Sequence, residues 1–314
     1  MNTSVCTLFE KDYHYGVGDL VNSLYRQGYR GVVWAGYKGS LPFWATPLQG
    51  RSGYEEYQVA EGCVIRFVKI ESYKFLSNYK PDFMLSILND LQPEVDAVFY
   101  FDPDIVNKCA WDTYERWVKC GVAICEDGFE YMPVDHPDRQ TWNELSEKLG
   151  YTVCRQTDRT YNTGFLGVKQ EDKQILVLWQ NYLEKLQEAG YIDLRTFLFP
   201  KQYPYLDTDQ CVFNVVITLT TLPLSTMDRL AMDLGGSATR NIMSHAAGGH
   251  ITKPWRKDFI AKVLLKGEIP SLTDKAYWRH TQFPIQLYSS LYYRWKRLDL
   301  LFAAALARLI RRPA

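Results

Sequence analysis

Asp96-Ala97-Val98-Phe99-Tyr100-Phe101-Asp102-Pro103-Asp104 is the stretch that decides the fold. Five consecutive apolar residues between acids read as a strand buried on both faces, the kind found in sheets covered by helices on each side. The strand runs straight into an Asp-x-Asp turn at its carboxyl end, and in open α/β sheets ligands sit outside those ends. Two carboxylates at i and i+2 can face one hard cation, which takes oxygen ligands and completes its shell with substrate phosphates. Pro103 stiffens the turn between them. Asp-x-Asp is also a common solvated turn, so the pair alone leaves both readings open. Its place at a buried sheet edge favours the cation, because unpaired acids there are costly.

Upstream, Val5 to Phe9, Gly31-Val32-Val33-Trp34-Ala35 and Cys63-Val64-Ile65-Arg66-Phe67 are further strand-like runs. Asp19 to Arg26 has helical spacing through Leu20, Leu24 and Tyr25, and Gly28 and Gly31 punctuate its end. Pro81 to Leu91 predicts a helix that starts on its proline. Downstream come a strand at Val122 to Cys125, a helix around Trp142 to Lys148, and an amphipathic helix from Glu171 to Ala189. Another helix opens near Asp207 and runs through Val212, Val215 and Val216. Strands alternating with helices predict an α/β fold with a mostly parallel sheet flanked by helices. Trp111, Trp117, Trp142 and Trp179 sit at helical positions and read as core, and His136 as part of an exposed loop. Glu126-Asp127 follows an apolar strand and reads either as a base facing a substrate or as a turn.

Lys+Arg and Asp+Glu each number 36, which leaves no global field to draw nucleic acid. The seven cysteines are odd in number and form no C-x-x-C pair, so they read as small buried hydrophobes of a reducing compartment. No basic-then-apolar leader precedes Val5, and no run reaches the roughly 18 apolar residues of a spanning helix. These features predict a cytoplasmic protein.

Three further segments give the chain a family likeness. About 60 residues after the Asp-x-Asp comes Asn162-Thr163-Gly164-Phe165, then Asp209-Gln210-Cys211-Val212-Phe213-Asn214, then His245-Ala246-Ala247-Gly248-Gly249-His250-Ile251-Thr252-Lys253-Pro254-Trp255. In this order, and with Asp12-Tyr13-His14-Tyr15-Gly16 near the start, they resemble the GT-A nucleotide-diphospho-sugar transferases. Family 8 is the nearest likeness, the group of glycogenin and bacterial lipopolysaccharide galactosyl- and glucosyltransferases. The likeness spans roughly residues 5 to 258.

It implies a Rossmann-like GT-A domain over residues 1–265 and a helical extension over 266–314. It also implies a metal-dependent enzyme (Mn²⁺ or Mg²⁺) that moves a hexose from a nucleotide-diphosphate sugar, UDP-linked, to a hydroxyl of a saccharide or lipid-linked saccharide. Retention of anomeric configuration and a place in bacterial surface polysaccharide or lipopolysaccharide synthesis follow from the same likeness. Asp102 and Asp104 match the metal-binding aspartates, His245 the third ligand, and Lys253 the lysine that meets the diphosphate. Asn162 and Gly164 match the loop lining the donor sugar, and Asp209 with Gln210 the pair near the anomeric carbon. Thr7, Leu8, Phe9 and Tyr13 (or Tyr15) fall where the family cradles base and ribose, and Lys80 is a further candidate contact to the donor.

Two points depart from the pattern. His245 and Lys253 are separated by two more residues than the family shows, so His250 stands both as a donor contact and as a rival third ligand. Asp207-Thr208-Asp209 is a second Asp-x-Asp, which reads as a rival metal site or as a helix N-cap.

Tyr292-Tyr293-Arg294-Trp295-Lys296-Arg297, followed by an apolar stripe to Ile310 and by Arg311-Arg312, suits a helix lying on an anionic membrane surface. Terminal packing on the domain or on another subunit is the alternative. Competing functions are a nucleotidyltransferase, which would carry a Gly-rich phosphate loop that residues 5–18 lack, and a non-catalytic scaffold.

Overall fold

A computed structural model describes residues 1–199, 206, 208–234 and 242–310, the side chains of 129 and 130 aside. The strands are β1 (Thr3–Glu10), β2 (Gly31–Lys38), β3 (Gln49–Arg51), β4 (Tyr54–Ala60), β5 (Cys63–Lys69), β6 (Ala97–Phe101), β7 (Ile105–Asn107), β8 (Val122–Tyr131), β9 (Arg159–Lys169), β10 (Leu224–Met227) and β11 (Met243–His245). The helices are α1 (His14–Arg26), α2 (Lys80–Ser86), α3 (Trp111–Lys119), α4 (Pro137–Lys148), α5 (Gln174–Glu188), α6 (Asp209–Thr218), α7 (Phe259–Lys266), α8 (Leu272–His280) and α9 (Ser290–Ile310).

Nine strands form one sheet in the order β10-β8-β9-β6-β1-β2-β5-β4-β3. The pairings β6–β1, β1–β2, β2–β5 and β10–β8 are parallel; β9 runs against both neighbours, and the β3–β4 hairpin runs against β5. The sheet is therefore α/β and mixed, less parallel than the strand–helix alternation predicts. The hairpin sits on the outer edge, where half-buried Glu55 and Glu56 and exposed Gln58 hide its period.

The deciding strand behaves as its composition requires. In β6, Val98 and Tyr100 enter the core on one face, with residues of α2, α4, α5 and α6. Ala97, Phe99 and Phe101 enter the other, with α1 and α3. Side chains alternate across a strand, so a sheet covered on both faces demands apolar residues throughout. Each fully buried Phe here contributes about 1.5–3 kcal/mol by burial.

Two other predicted elements shift at their ends. Lys80 rather than Pro81 begins α2, and the stretch to Leu91 continues as a turn of π-helix. The helix expected near Asp207 starts at Asp209, after the extended Thr208. Asp207 lies outside the described residues, as do Arg311 and Arg312.

The last quarter of the chain closes over α1. The Asn22 amide donates to the carbonyls of His280 and Ile285 at 2.6 and 2.9 Å and accepts from the Ile285 N–H at 2.7 Å. Ile285 and Leu287 complete the core against Val17, Leu20 and Val21. The expected limit of the transferase domain at residue 265 falls at the end of α7. A third apolar cluster joins α7, α8 and α9 to Val106 and Trp255.

Candidate metal centre

Asp102, Asp104 and His245 come together, each offering a ligand atom within 4.8 Å of the others. The backbone accounts for the placement. β7 leaves the Asp-Pro-Asp turn immediately, and β11 pairs with it antiparallel, setting His245 opposite Ile105. The Ala246 N–H continues the ladder onto the Asp104 carbonyl at 3.0 Å. On the other side, the Asp102 N–H donates to the Gly164 carbonyl at 2.7 Å, extending the β6–β9 pairing.

Each carboxylate has one oxygen held and one turned inward. Asp102 Oδ1 accepts from the Tyr100 hydroxyl at 2.8 Å and lies 3.4 Å from Lys80 Nζ. Asp104 Oδ2 pairs with Lys253. Asp102 Oδ2 and Asp104 Oδ1 face His245 Nε2, at 3.7 and 3.3 Å. Two carboxylate oxygens and one imidazole nitrogen are thus directed at a common point. The ammonium groups of Lys80 and Lys253 pair with Asp102 and Asp104 on their outer sides. This group of two carboxylates and an imidazole could hold a metal ion.

The electrostatics follow the same pattern. Burial alone would raise the Asp104 carboxyl, but the charges and hydrogen bonds of His245 and Lys253 outweigh it and hold it well below the usual carboxylate range. Lys80, also buried, is lifted above the ordinary lysine value, because Asp102 and Asp209 outweigh its desolvation. Asp209 is raised by burial, reinforced by the charge of Asp102 and only partly offset by Lys80.

Gly164 is required by space. A Cβ there would lie 2.6 Å from His245 Cε1, 2.8 Å from Asn162 Oδ1 and 3.0 Å from Asp102 Oδ2. Asn162 turns back to accept from the Gly164 N–H at 2.9 Å. Asp209 accepts from the Thr163 hydroxyl at 3.2 Å and pairs with Lys80 at 3.2 Å; Gln210 accepts from the Thr163 N–H at 3.3 Å. Asn214, on the same helix, clamps both backbone groups of Tyr161, which fixes α6 against β9.

His250 goes elsewhere. Its Nε2 is 2.8 Å from Asp12 Oδ1, and its ring stacks on Tyr13 at 5.4 Å. Asp12 also accepts from Trp255 Nε1 at 2.8 Å and Arg256 Nε at 2.5 Å. The ladder therefore presents His245 to the aspartates, while His250 fastens its loop to the entrance of α1. Tyr13 lies within 5.7 Å of Lys253 Nζ, whereas Tyr15 stacks on Tyr288. Leu8 and Phe9 belong to the two cores and Thr7 is fully buried, so a ligand would meet this stretch through its main chain.

Several participants escaped the sequence reading. Tyr100 and Asp102 share a strand face at i and i+2, a signal that was present in the period. Asp127 was half seen: its Oδ1 accepts from Asn162 at 3.1 Å and its Oδ2 from Gln210 at 3.0 Å, so it braces two site residues rather than forming a simple turn. Asp12 was named only as part of the opening motif, with no role of its own.

No family model matches the chain, and no curated protein matches it.

Proposed function

We propose that the chain is a metal-dependent glycosyltransferase of GT-A type, moving a hexose from a nucleotide-diphosphate sugar, UDP-linked, to a saccharide hydroxyl. The observation that carries this reading is the convergence of Asp102, Asp104 and His245, with Lys253 already seated on Asp104. The ordered sequence motifs supply the rest. A bound Mn²⁺ or Mg²⁺ would supply Lewis-acid stabilisation of the diphosphate as it departs. Asp102, Asp104 and His245 would hold it. Lys253, a compact buried cation, then meets the phosphate charge that develops on bond breaking. Asn162, Gly164, Asp209 and Gln210 position the sugar, and retention is the stereochemistry expected of the resemblance. Positioning and preorganised charge carry most of such an acceleration.

The test is a panel of nucleotide sugars with Mn²⁺, read as thermal stabilisation and as hydrolysis, on wild type and Asp104→Ala. Stabilisation by a nucleotide sugar that disappears in Asp104→Ala supports the reading. Wild type that binds none, or Asp104→Ala that binds equally, rejects it. Binding of a nucleoside triphosphate in place of the sugar would select the nucleotidyltransferase.

We further propose that α9 lies on an anionic lipid surface, consistent with a cytoplasmic protein acting on lipid-linked saccharides. Leu291, Trp295, Leu298, Phe302 and Leu309 recur at steps of four, three, four and seven, and each is more than half exposed. At 100° per residue they form one stripe, with Arg294, Arg297 and Arg308 along one flank. The acid of the helix, Asp299, is buried. Two copies joined through this stripe would set like charges side by side, whereas anionic headgroups complement them. Lys296 does not contribute, contrary to the sequence reading: it is buried and bonded to the Lys257 carbonyl and to Asp258. Among the described residues no helix is long and apolar enough to cross a membrane.

A further inference from the structure

A cleft of about 330 Å³ has walls that include Glu126, Asp127, Tyr131, Arg159, Asp228 and Arg229. We infer that it binds the acceptor, and that the acceptor presents an uncharged pyranoside there. This rests on the transferase reading and deepens it.

Asp127 makes the cleft continuous with the site. One side of this carboxylate is wall; its oxygens hold Asn162 and Gln210, which reach the loop beside Asp102 and the start of α6. Asp127 thus belongs both to the cleft wall and to the hydrogen bonds that hold Asn162 and Gln210. The size is right for one sugar ring: ligand clefts run from about 300 to 1,000 Å³, and this one is at the small end. Its lining suits a polyol. Carboxylates accept from hydroxyls, and the Tyr131 ring, 63% exposed, leaves the face away from Arg159 to the C–H side of a pyranose.

The charges decide against an anionic sugar. Arg159 is 3.9 Å from Glu126 and lies over the Tyr131 ring at 5.2 Å, while Arg229 donates to the Gly128 carbonyl at 3.3 Å. Each guanidinium group already has a partner at the rim of the cleft, and three carboxylates outnumber the two. A uronic or sialic acid would meet net negative charge.

The experiment uses saturation-transfer NMR on the full chain with methyl hexopyranosides and a methyl hexuronide as probes. Thermal stabilisation by nucleotide sugar and Mn²⁺ is read on the same samples. Neutral pyranosides should bind wild type and Tyr131→Phe. Tyr131→Ala should weaken them about tenfold or more, with the nucleotide-sugar stabilisation unchanged; Tyr131 is exposed, so the fold should persist. The inference is overturned if no neutral pyranoside binds, if the hexuronide binds better, or if Tyr131→Ala binds as wild type does. Should nucleotide sugars also fail to stabilise wild type, the transferase reading falls and this inference with it. Failure confined to the pyranosides counts against the cleft alone.

Discussion

Gly16 of α1 lies directly beneath the carbonyl of Pro103, so close that a single added carbon would strike it. The helix and the Asp-Pro-Asp turn are thereby packed backbone against backbone, with Trp255 closing the same contact from the His245 loop. Gly16→Ala must push the turn away or tilt α1. We expect it to weaken metal-dependent nucleotide binding about tenfold or more, equivalent to ~1.4 kcal/mol. Calorimetry with Mn²⁺ and donor on a variant that retains its circular dichroism checks this; wild-type affinity would show that the turn tolerates the carbon.

The two histidines of the 245–256 loop should separate cleanly. Groups that merely support metal ligands are worth about 10–100-fold in affinity, so His245→Ala should fall at or beyond the upper end of that range. His250→Ala loses the Asp12 contact and the Tyr13 stack, and should reduce nucleotide affinity with a smaller effect on metal affinity. Metal titration with both variants decides; the reverse ranking would reassign the third ligand.

How much of this was legible in the sequence depends on the range of the interaction. Strand β6 and the Asp-x-Asp at its end could be read because burial and a strand end are local signals. The antiparallel β3–β4 hairpin was missed because an edge strand need not be apolar. Gly16 under Pro103, Asp12 under His250, and Asp127 between Asn162 and Gln210 join residues about 35 to 240 positions apart, and no periodicity reports such pairs. The ordered motifs named the residues of the site, with His245 as third ligand and His250 as its rival; the β7–β11 ladder shows how His245 reaches the aspartates.

On the proposed function, Asp127 positions Asn162 and Gln210, and its removal should act on turnover more than on donor affinity. Asp127→Ala releases both amides at once, and a misplacement of about 1 Å can cost on the order of 10²-fold in rate. We expect kcat to fall by about that factor while KM for the donor changes little. Asp127→Asn, which keeps one accepting oxygen, should recover part of the loss. Equal effects on kcat and KM would point to a structural role instead.

The stripe on α9 should govern lipid binding. Leu298→Glu with Phe302→Glu is expected to abolish co-sedimentation with vesicles containing anionic phospholipid and to leave nucleotide-sugar binding intact. Each interfacial arginine contributes about 1 kcal/mol, so raised salt should weaken the wild type in the same assay. Binding that survives both changes would leave the stripe to another partner.

His280 supplies a test of acid stability. Burial, with Arg26 and Arg279 nearby, lowers its pKa from 6.5 to about 4, so the folded chain keeps it neutral where the unfolded chain protonates it. Between those values the unfolded state binds more protons, and stability must fall as pH drops from 6.5 towards 4. His280→Gln should flatten that part of the profile of Tm against pH. An unchanged slope would mean that other groups carry it.

The ladder that delivers His245 has a consequence for biosynthesis. Asp104 leaves the ribosome 141 residues before His245. At about 5–20 residues per second this is an interval of roughly 7–28 s. During it Lys80 is, among the described residues, the charged partner of the aspartates already made, while the histidine, Lys253 and the segment that seals α1 are still to come. The nascent sheet can therefore fold without a finished donor set. A chain cut short before β11 would keep most of its sheet and lack the third member of its candidate metal centre.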